Sequence, residues 1–302
     1  MKILFNKLSL IIFFSLFLLF LLNQGLELFK KHDIVIGSKN FTESRIIAEI
    51  YAIALEKAGY KVEKKLNLAG TLVAHEALKA AKIDLYPEYT GTALLNILNL
   101  PPVKDEQKAY KIISKMYLDK YNLVWLKPAP ANNSQGLVIT GNTSDKYKLT
   151  SLSQLSQLAP MLKLASTPEF IERDDGLKGL KRTYGNFIFK YVKIYDNGIK
   201  YRILKNNLAD VLVGFTTDGE LQNKYFIVLK DDKAFWISYH SAPVVRNIIL
   251  KKHPEIVKIL DNISEKLTDN VLQKLNAEAD IKKRDYRAVA YQFLLENKLI
   301  KD

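Results

Sequence analysis

The hydrophobic pattern of this chain changes period repeatedly, and each change marks an element. Ile34-Val35-Ile36 is a short β-branched run, which predicts a buried strand. Gly37 ends it, and a helix then follows. Ile46, Ile47, Ile50, Tyr51, Ala54, Leu55 and Ala58 share one helical face, and Gly59 stops them. Ser38, Asn40 or Thr42 is placed to cap that helix. The alternation continues with a strand at 60–63, a helix at 72–81, a strand at 83–86 and a helix opening at Thr90-Gly91-Thr92. Residues 104–118 are helical by period and 123–126 are extended. Alternation of this kind predicts α/β layers.

Pro128-Ala129-Pro130-Ala131-Asn132-Asn133 breaks the pattern and predicts a crossing between domains. A second α/β set follows, with a strand at 137–139, a helix near 152–158 and a strand at 162–165. Thr167-Pro168-Glu169 carries a cap, a first-position proline and an acid, and so predicts another helix start. Strands at 209–215 and 226–229 complete the set. Beyond them, Ile256, Val257, Leu260, Ile263 and Leu267 repeat at helical spacing within 254–267. Val289, Phe293 and Leu294 do the same within 288–298. The chain therefore reads as two α/β lobes with a helical C-terminal tail. In such folds ligands sit at strand C-terminal ends, between lobes.

Composition alters this picture mainly at the N-terminus. Lys2 and Lys7 precede an uncharged run of Leu, Ile and Phe at 8–22, the pattern of an export signal. No small-x-small cleavage site follows, Asn23-Gln24-Gly25 being the nearest candidate, and the segment approaches the roughly 20 residues that span a bilayer. Residues 1–29 are thus a cleaved signal peptide or an uncleaved membrane anchor. Either outcome places the chain from about Lys30 onward outside the cytoplasm, periplasmic or tethered to the membrane. The chain has no cysteine, which rules out a lipidated-cysteine anchor and any disulfide. Its net charge of +13 first suggests nucleic acid or a membrane surface, but the lysines are scattered, without the clustered stripe that nucleic-acid binding needs. A solvated basic surface is the better account, and no nucleic-acid partner is expected.

The candidate chemistry is recognition rather than catalysis. Gly37-Ser38-Lys39-Asn40-Phe41-Thr42-Glu43 joins a strand to a helix N-terminus, where free N–H groups and the helix dipole favour an anion, and Lys39 adds a full charge. The four histidines are scattered, without metal-ligand or triad spacing, and no glycine-rich phosphate loop occurs. Asp174-Asp175 and Asp231-Asp232 sit beside glycine or lysine and read as turns. No catalytic residue, metal or cofactor is expected. Tyrosine, by contrast, is common, with 16 residues, several in loops that follow strands. Rings converging on a cleft suit a quaternary ammonium, and a lysine or arginine at the opposite end suits a carboxylate.

The runs GSKNFTE at 37–43, YPEYTGT at 86–92, TPEFIERDDG at 167–176, TTDG at 216–219 and DDKAFWISYHSAP at 231–243 carry a resemblance. Together they resemble the osmoprotectant-binding proteins of ABC importers, which take up glycine betaine, proline betaine, choline or carnitine. The resemblance covers nearly all of 33–276. It implies a two-lobed type II periplasmic-binding-protein fold that closes on its ligand by hinge motion, with lobe A from 33–132 plus 237–302 and lobe B from 133–236. It implies that Lys39 and Arg173 hold the ligand carboxylate, that Tyr89 and Tyr239 are cage walls, and that Thr92 is a polar contact. Asp218 lies in the matching TTDG loop, where holding the loop is the alternative role. Glu43 and Glu88 are expected to satisfy nearby backbone rather than to touch ligand.

Two positions depart from the family pattern. The crossing, which in relatives reads like Asn-Asn-Thr-Tyr-Ala, reads Asn132-Asn133-Ser134-Gln135-Gly136, so Gln135 stands where a third aromatic wall is expected. Phe215 stands before the TTDG loop in place of the usual tyrosine. The implied partners are a small zwitterionic or cationic solute and an ABC permease in the membrane, with the chain itself a monomer. A membrane-tethered sensor of the same fold, or a binder of a different amino-acid-like solute, is the alternative.

Overall fold

The computed structural model describes residues 32–301, so the expected signal or anchor at 1–29 lies outside the described residues. The strands in chain order are β1 (Ile34–Gly37), β2 (Val62–Lys65), β3 (Leu85–Tyr89), β4 (Leu123–Trp125), β5 (Gln135–Thr140), β6 (Lys163–Ser166), β7 (Tyr191–Ile194), β8 (Val211–Phe215), β9 (Phe226–Val228) and β10 (Ser241–Arg246). They form two five-stranded sheets, β2-β1-β3-β10-β4 and β7-β6-β8-β5-β9. In the first, β1 runs parallel to β2 and β3, while β10 returns antiparallel between β3 and β4. In the second, β6 is parallel to β7 and β8, and β5 is antiparallel to β8 and β9.

Sequence periodicity did not predict β10, because Pro243 lies inside it and proline cannot donate to a ladder. The structure accommodates it by register: Pro243 stands opposite Pro87 of β3, so two residues without N–H groups face each other. The other edge of the same residue still works, its carbonyl accepting from the Leu126 N–H at 3.0 Å.

Each sheet buries apolar residues on both faces. One face of the first sheet packs on the helix Thr42–Lys57, which is buried along nearly its whole length. It can be, because the C-terminal helices Ile256–Ser264, Asp269–Asp280 and Tyr286–Glu296 cover its other side with Leu260, Leu272 and Phe293. The C-terminal helices are thus part of a core, not an appendage. The capping expectation is corrected here. Phe41 is the N-cap of Thr42–Lys57, extended at φ −129, and no side chain caps it. The candidate caps bind elsewhere: Ser38 Oγ accepts from the Asn67 N–H at 2.9 Å, and the Thr42 hydroxyl donates to Asp280 at 2.7 Å.

The chain passes from the first sheet to the second between β4 and β5, and back between β9 and β10. The two crossings lie side by side through the Asn132–His240 bridge. The Asn133 N–H donates to the Tyr239 carbonyl at 3.0 Å, and the Tyr239 N–H to Asn132 Oδ1 at 2.7 Å. No helix among the described residues is long and apolar enough to cross a membrane.

Candidate functional site

A cleft of about 700 Å³, mouth included, opens where the ends of β1, β3, β6 and β8 meet the crossings. Lys39, Tyr89, Thr92, Gln135, Arg173, Phe215 and Tyr239 all line it, so residues far apart in sequence converge. Asp218 does not.

Lys39 follows β1 and is 4% exposed. Its Nζ lies 2.5 Å from Glu88 Oε1 and 3.0 Å from the Thr71 hydroxyl oxygen. An ammonium has three donors, so these partners leave one for a ligand. Burial pushes the Lys39 pKa below its ordinary value, and the Glu88 carboxylate opposes that shift. Glu88 does satisfy backbone, accepting from the Tyr89 N–H at 2.7 Å, but it also takes the Tyr86 hydroxyl at 2.8 Å and the Lys39 ammonium.

Arg173 ends the short helix Pro168–Glu172, which Thr167 caps. Its Nε lies 2.7 Å from Asp175 Oδ1 and its Nη2 lies 2.5 Å from Asp175 Oδ2, a bidentate fork. Asp175 is buried and also receives the Tyr239 hydroxyl at 2.5 Å and Gln135 Nε2 at 3.1 Å. Both cations expected to meet a ligand carboxylate are therefore already fixed by a carboxylate of the protein. The fork uses two of the five guanidinium donors and pre-organises the rest. Asp174 and Asp175 do lie in a turn, as read, but the Asp175 carboxylate is also a partner of the Arg173 fork and of cleft side chains. Besides its near neighbour Arg173, it is reached by Tyr239 and Gln135 from other segments, which its sequence surroundings do not signal.

The aromatic walls come from four segments. Tyr89 ends β3, and its ring centroid is 5.8 Å from that of Phe41. Phe41 in turn stacks on Phe215 at 6.2 Å and 19°. Tyr239 lies against Gly91, where a Cβ would come within 2.7 Å of its ring, so only glycine admits this wall. Thr92 is buried in the single turn Thr90–Thr92, which continues as a π-helical stretch at Ala93–Ile97. Gln135 opens β5 opposite Phe215 in register. Sequence reasoning missed Phe41, although it meets the criterion applied to the tyrosines, an aromatic in a loop just after a strand. It also missed Asn133, Thr71 and Thr167 as lining residues.

Asp218 holds its own loop. Its Oδ2 accepts from the Phe215 N–H at 2.8 Å and the Tyr201 hydroxyl at 2.8 Å, and pairs with Lys200 Nζ at 2.6 Å. Lys200 Nζ also sits 4.8 Å from the Phe215 ring centroid. Glu43 likewise lies behind the cleft, but four side chains rather than backbone groups satisfy it: Tyr89, Asn133, Thr217 and Asn276. The site thus combines aromatic faces with two pre-oriented cations, and it is arranged to hold a ligand rather than to transform one.

Comparison with known proteins agrees. The family described as the substrate binding domain of ABC-type glycine betaine transport systems matches residues 32–296. A glycine-betaine-binding protein of Pseudomonas aeruginosa is 34% identical over 277 residues, covering 88% of this chain and 88% of that protein. The ergothioneine transport permease/ergothioneine binding protein EgtU of Helicobacter pylori is 32% identical over 286 residues, 93% of this chain. The chain spans about half of that relative's length, 51%. A crystal structure of a glycine betaine/carnitine/choline ABC transporter superposes with a TM-score of 0.74 at 29% identity, covering 89% of this chain and all of that one. Two mixed sheets, a cleft at their crossings and a family match across almost the whole described chain lead to one conclusion: this chain belongs to the non-catalytic substrate-binding domains of ABC-type glycine betaine transport systems.

Proposed function

We propose that this chain captures a small solute bearing a quaternary ammonium and a carboxylate, and presents it to an ABC permease outside the cytoplasm. The observation that carries the reading is the convergence of Tyr89, Tyr239, Phe41 and Phe215 with Lys39 and Arg173 on one cleft. Ring faces attract a cation that cannot donate hydrogen bonds. The remaining donors of Arg173 and Lys39 suit the carboxylate at its other end. The names of the relatives support the same class.

The two crossings act as a hinge between lobe A, 33–132 plus 237–302, and lobe B, 133–236. Closing the lobes brings Tyr89 and Thr92 of one against Arg173 and Phe215 of the other, and expels water from the site. The protein works as a monomer, with residues 1–29 as its export signal or tether. Gln135 favours a ligand with hydrogen-bonding groups beside its cation. Ergothioneine, a betaine with an imidazole-thione ring and the solute in the name of the Helicobacter pylori relative, has that form.

The test is thermal unfolding of the full chain with millimolar glycine betaine, proline betaine, choline, carnitine, ergothioneine and plain amino acids. A ligand at 100 times its dissociation constant adds about 2.7 kcal/mol of stability. An upward shift with quaternary amines alone is the expected result. Stabilisation by plain amino acids alone would overturn the reading.

A further inference from the structure

Glu43 is the second residue of the helix Thr42–Lys57, 2% exposed and behind the cleft rather than in it. Its Oε1 meets the Tyr89 hydroxyl at 2.9 Å and Asn133 Nδ2 at 2.8 Å. Its Oε2 meets the Thr217 hydroxyl at 2.6 Å and Asn276 Nδ2 at 3.0 Å. These partners come from β3, the first crossing, the loop after β8 and the helix Asp269–Asp280. The two amides can only donate through those atoms. Thr217 Oγ1 itself accepts from Asn133 Nδ2 at 2.6 Å, so its proton points to Glu43. Such a setting fits a carboxylate, and the helix N-terminus favours the negative charge further.

The absence of a cation sets Glu43 apart from three other carboxylates around the cleft. Glu88 has Lys39, Asp175 has Arg173 and Asp218 has Lys200, whereas Glu43 makes no ion pair among the described residues. An uncompensated buried charge is costly, and a fold that only needed a tie between these elements has neutral ways to make one. The field of this charge reaches the cleft through Tyr89. The ring lines the cleft, and its hydroxyl donates to the anion. In a low-dielectric surrounding both the charge and the polarised hydrogen bond make the ring face more negative. A more negative ring face is what a quaternary ammonium senses.

We propose that Glu43 is a specificity-determining residue, which sets the preference of the cleft for a cationic head group by acting through Tyr89 without touching the ligand. The proposal rests on the quaternary-ammonium reading above. Its test compares glycine betaine with 3,3-dimethylbutanoate, which has the same shape and carboxylate but carbon in place of the cationic nitrogen. Both are titrated calorimetrically against the full wild-type chain and Glu43→Gln. The expected result is an affinity for glycine betaine lowered about tenfold, with that for the isostere unchanged. Equal loss for both ligands would make Glu43 a structural tie and overturn the proposal, as would an unchanged ratio. Should Glu43→Gln not fold, Tyr89→Phe keeps ring and carboxylate while cutting the link, and the ratio must still fall. A wild-type chain that binds glycine betaine no better than the isostere would instead overturn the ligand reading on which this rests.

Discussion

Tyr89 and Tyr239 are both buried, both line the cleft and both give their hydroxyl proton to a buried carboxylate. The difference lies one atom further on. Asp175, behind Tyr239, is clamped by the Arg173 fork, so that wall is backed by a neutral pair. Glu43, behind Tyr89, has four neutral donors and makes no ion pair among the described residues, so on the proposal above that wall is backed by a net charge. Burial holds both phenols well above the ordinary tyrosine pKa, and both remain donors. Burial also raises the Glu43 carboxyl above its ordinary value, with its four donors opposing. The two phenol walls therefore differ in what backs them, and on the cleft side Tyr89 also has the Lys39 ammonium 5.3 Å from its ring centroid.

The comparison breaks most forcefully at Arg173. Arg173→Ala leaves Asp175, with a side chain 4% exposed, without its cation. Removing one partner of a buried pair costs about 3–5 kcal/mol, and because the Arg173 side chain is 21% exposed the lower end applies. Ligand binding is lost at the same time. A melting temperature like that of the wild type would show that the neutral pair is not what supports the Tyr239 wall.

Glu220 serves as a control for Glu43. Among the described residues it too makes no ion pair, and it does not have four side-chain donors. Burial, then the nearby Asp218 and Asp280 charges, push its pKa from 4.5 to about 7. The folded chain thus holds this proton more tightly than the unfolded chain does. The stability contributed by that proton is complete below pH 4.5 and falls as pH rises through 7, by up to about 3 kcal/mol. Glu220→Gln is expected to be more stable than wild type at pH 8 and to lose most of the advantage at pH 4.5. Parallel stability–pH curves for the two proteins would refute this.

The two hydroxyls give a direct contrast of smaller size. Tyr89→Phe takes one of four neutral donors from an uncompensated anion, while Tyr239→Phe leaves Asp175 with the arginine fork and Gln135. Losing a hydrogen bond to a charged group costs about 1.5–3 kcal/mol, and one less needed about 1 kcal/mol. Tyr89→Phe should therefore melt at the lower temperature of the two. The opposite order would mean that the Glu43 charge is better compensated than its partners suggest.

Much of the frame was legible in the sequence, and little of this contrast was. Regular periods announced Thr42–Lys57, Leu152–Leu158 and β8 because each buries a continuous apolar face. Pro243 hid β10, whose facing proline on β3 is a tertiary fact. The helix Asp269–Asp280 was not singled out, since its buried set includes Asn276, a polar residue committed to Glu43 and to the Thr217 carbonyl at 2.8 Å. Resemblance to the family singled out Lys39, Tyr89, Arg173 and Tyr239, and Glu43 and Glu88 as backbone acceptors, but not the side-chain pairing of these groups or the part of Asp175. Asp175 lies in the turn its neighbours signal, but its bond to Tyr239 spans 64 residues, and Glu43 depends on Asn276, 233 residues away. Sequence patterns report which side chains are buried; which of them share a charge is decided by packing.

The gentlest way to sharpen the comparison is to add a third wall. Gln135 is 6% exposed, lines the cleft and stands opposite Phe215 in the β5–β8 register. Its Nε2 donates to the Asp175 carbonyl at 3.2 Å and to Asp175 Oδ2 at 3.1 Å. Gln135→Tyr sacrifices both contacts, yet neither acceptor is orphaned. The carbonyl keeps Trp236 Nε1 at 2.9 Å, and the carboxylate keeps Arg173 and Tyr239. Against that small loss the new ring adds about 0.5–2 kcal/mol of cation–π attraction for a desolvated ammonium. Glycine betaine should bind up to roughly tenfold more tightly, while 3,3-dimethylbutanoate gains nothing from a ring quadrupole. Because Asp175 is already neutralised, the added wall should work through its own ring alone, and the gain should persist in a Glu43→Gln background. Weaker betaine binding by Gln135→Tyr would show that this position does not face the cation.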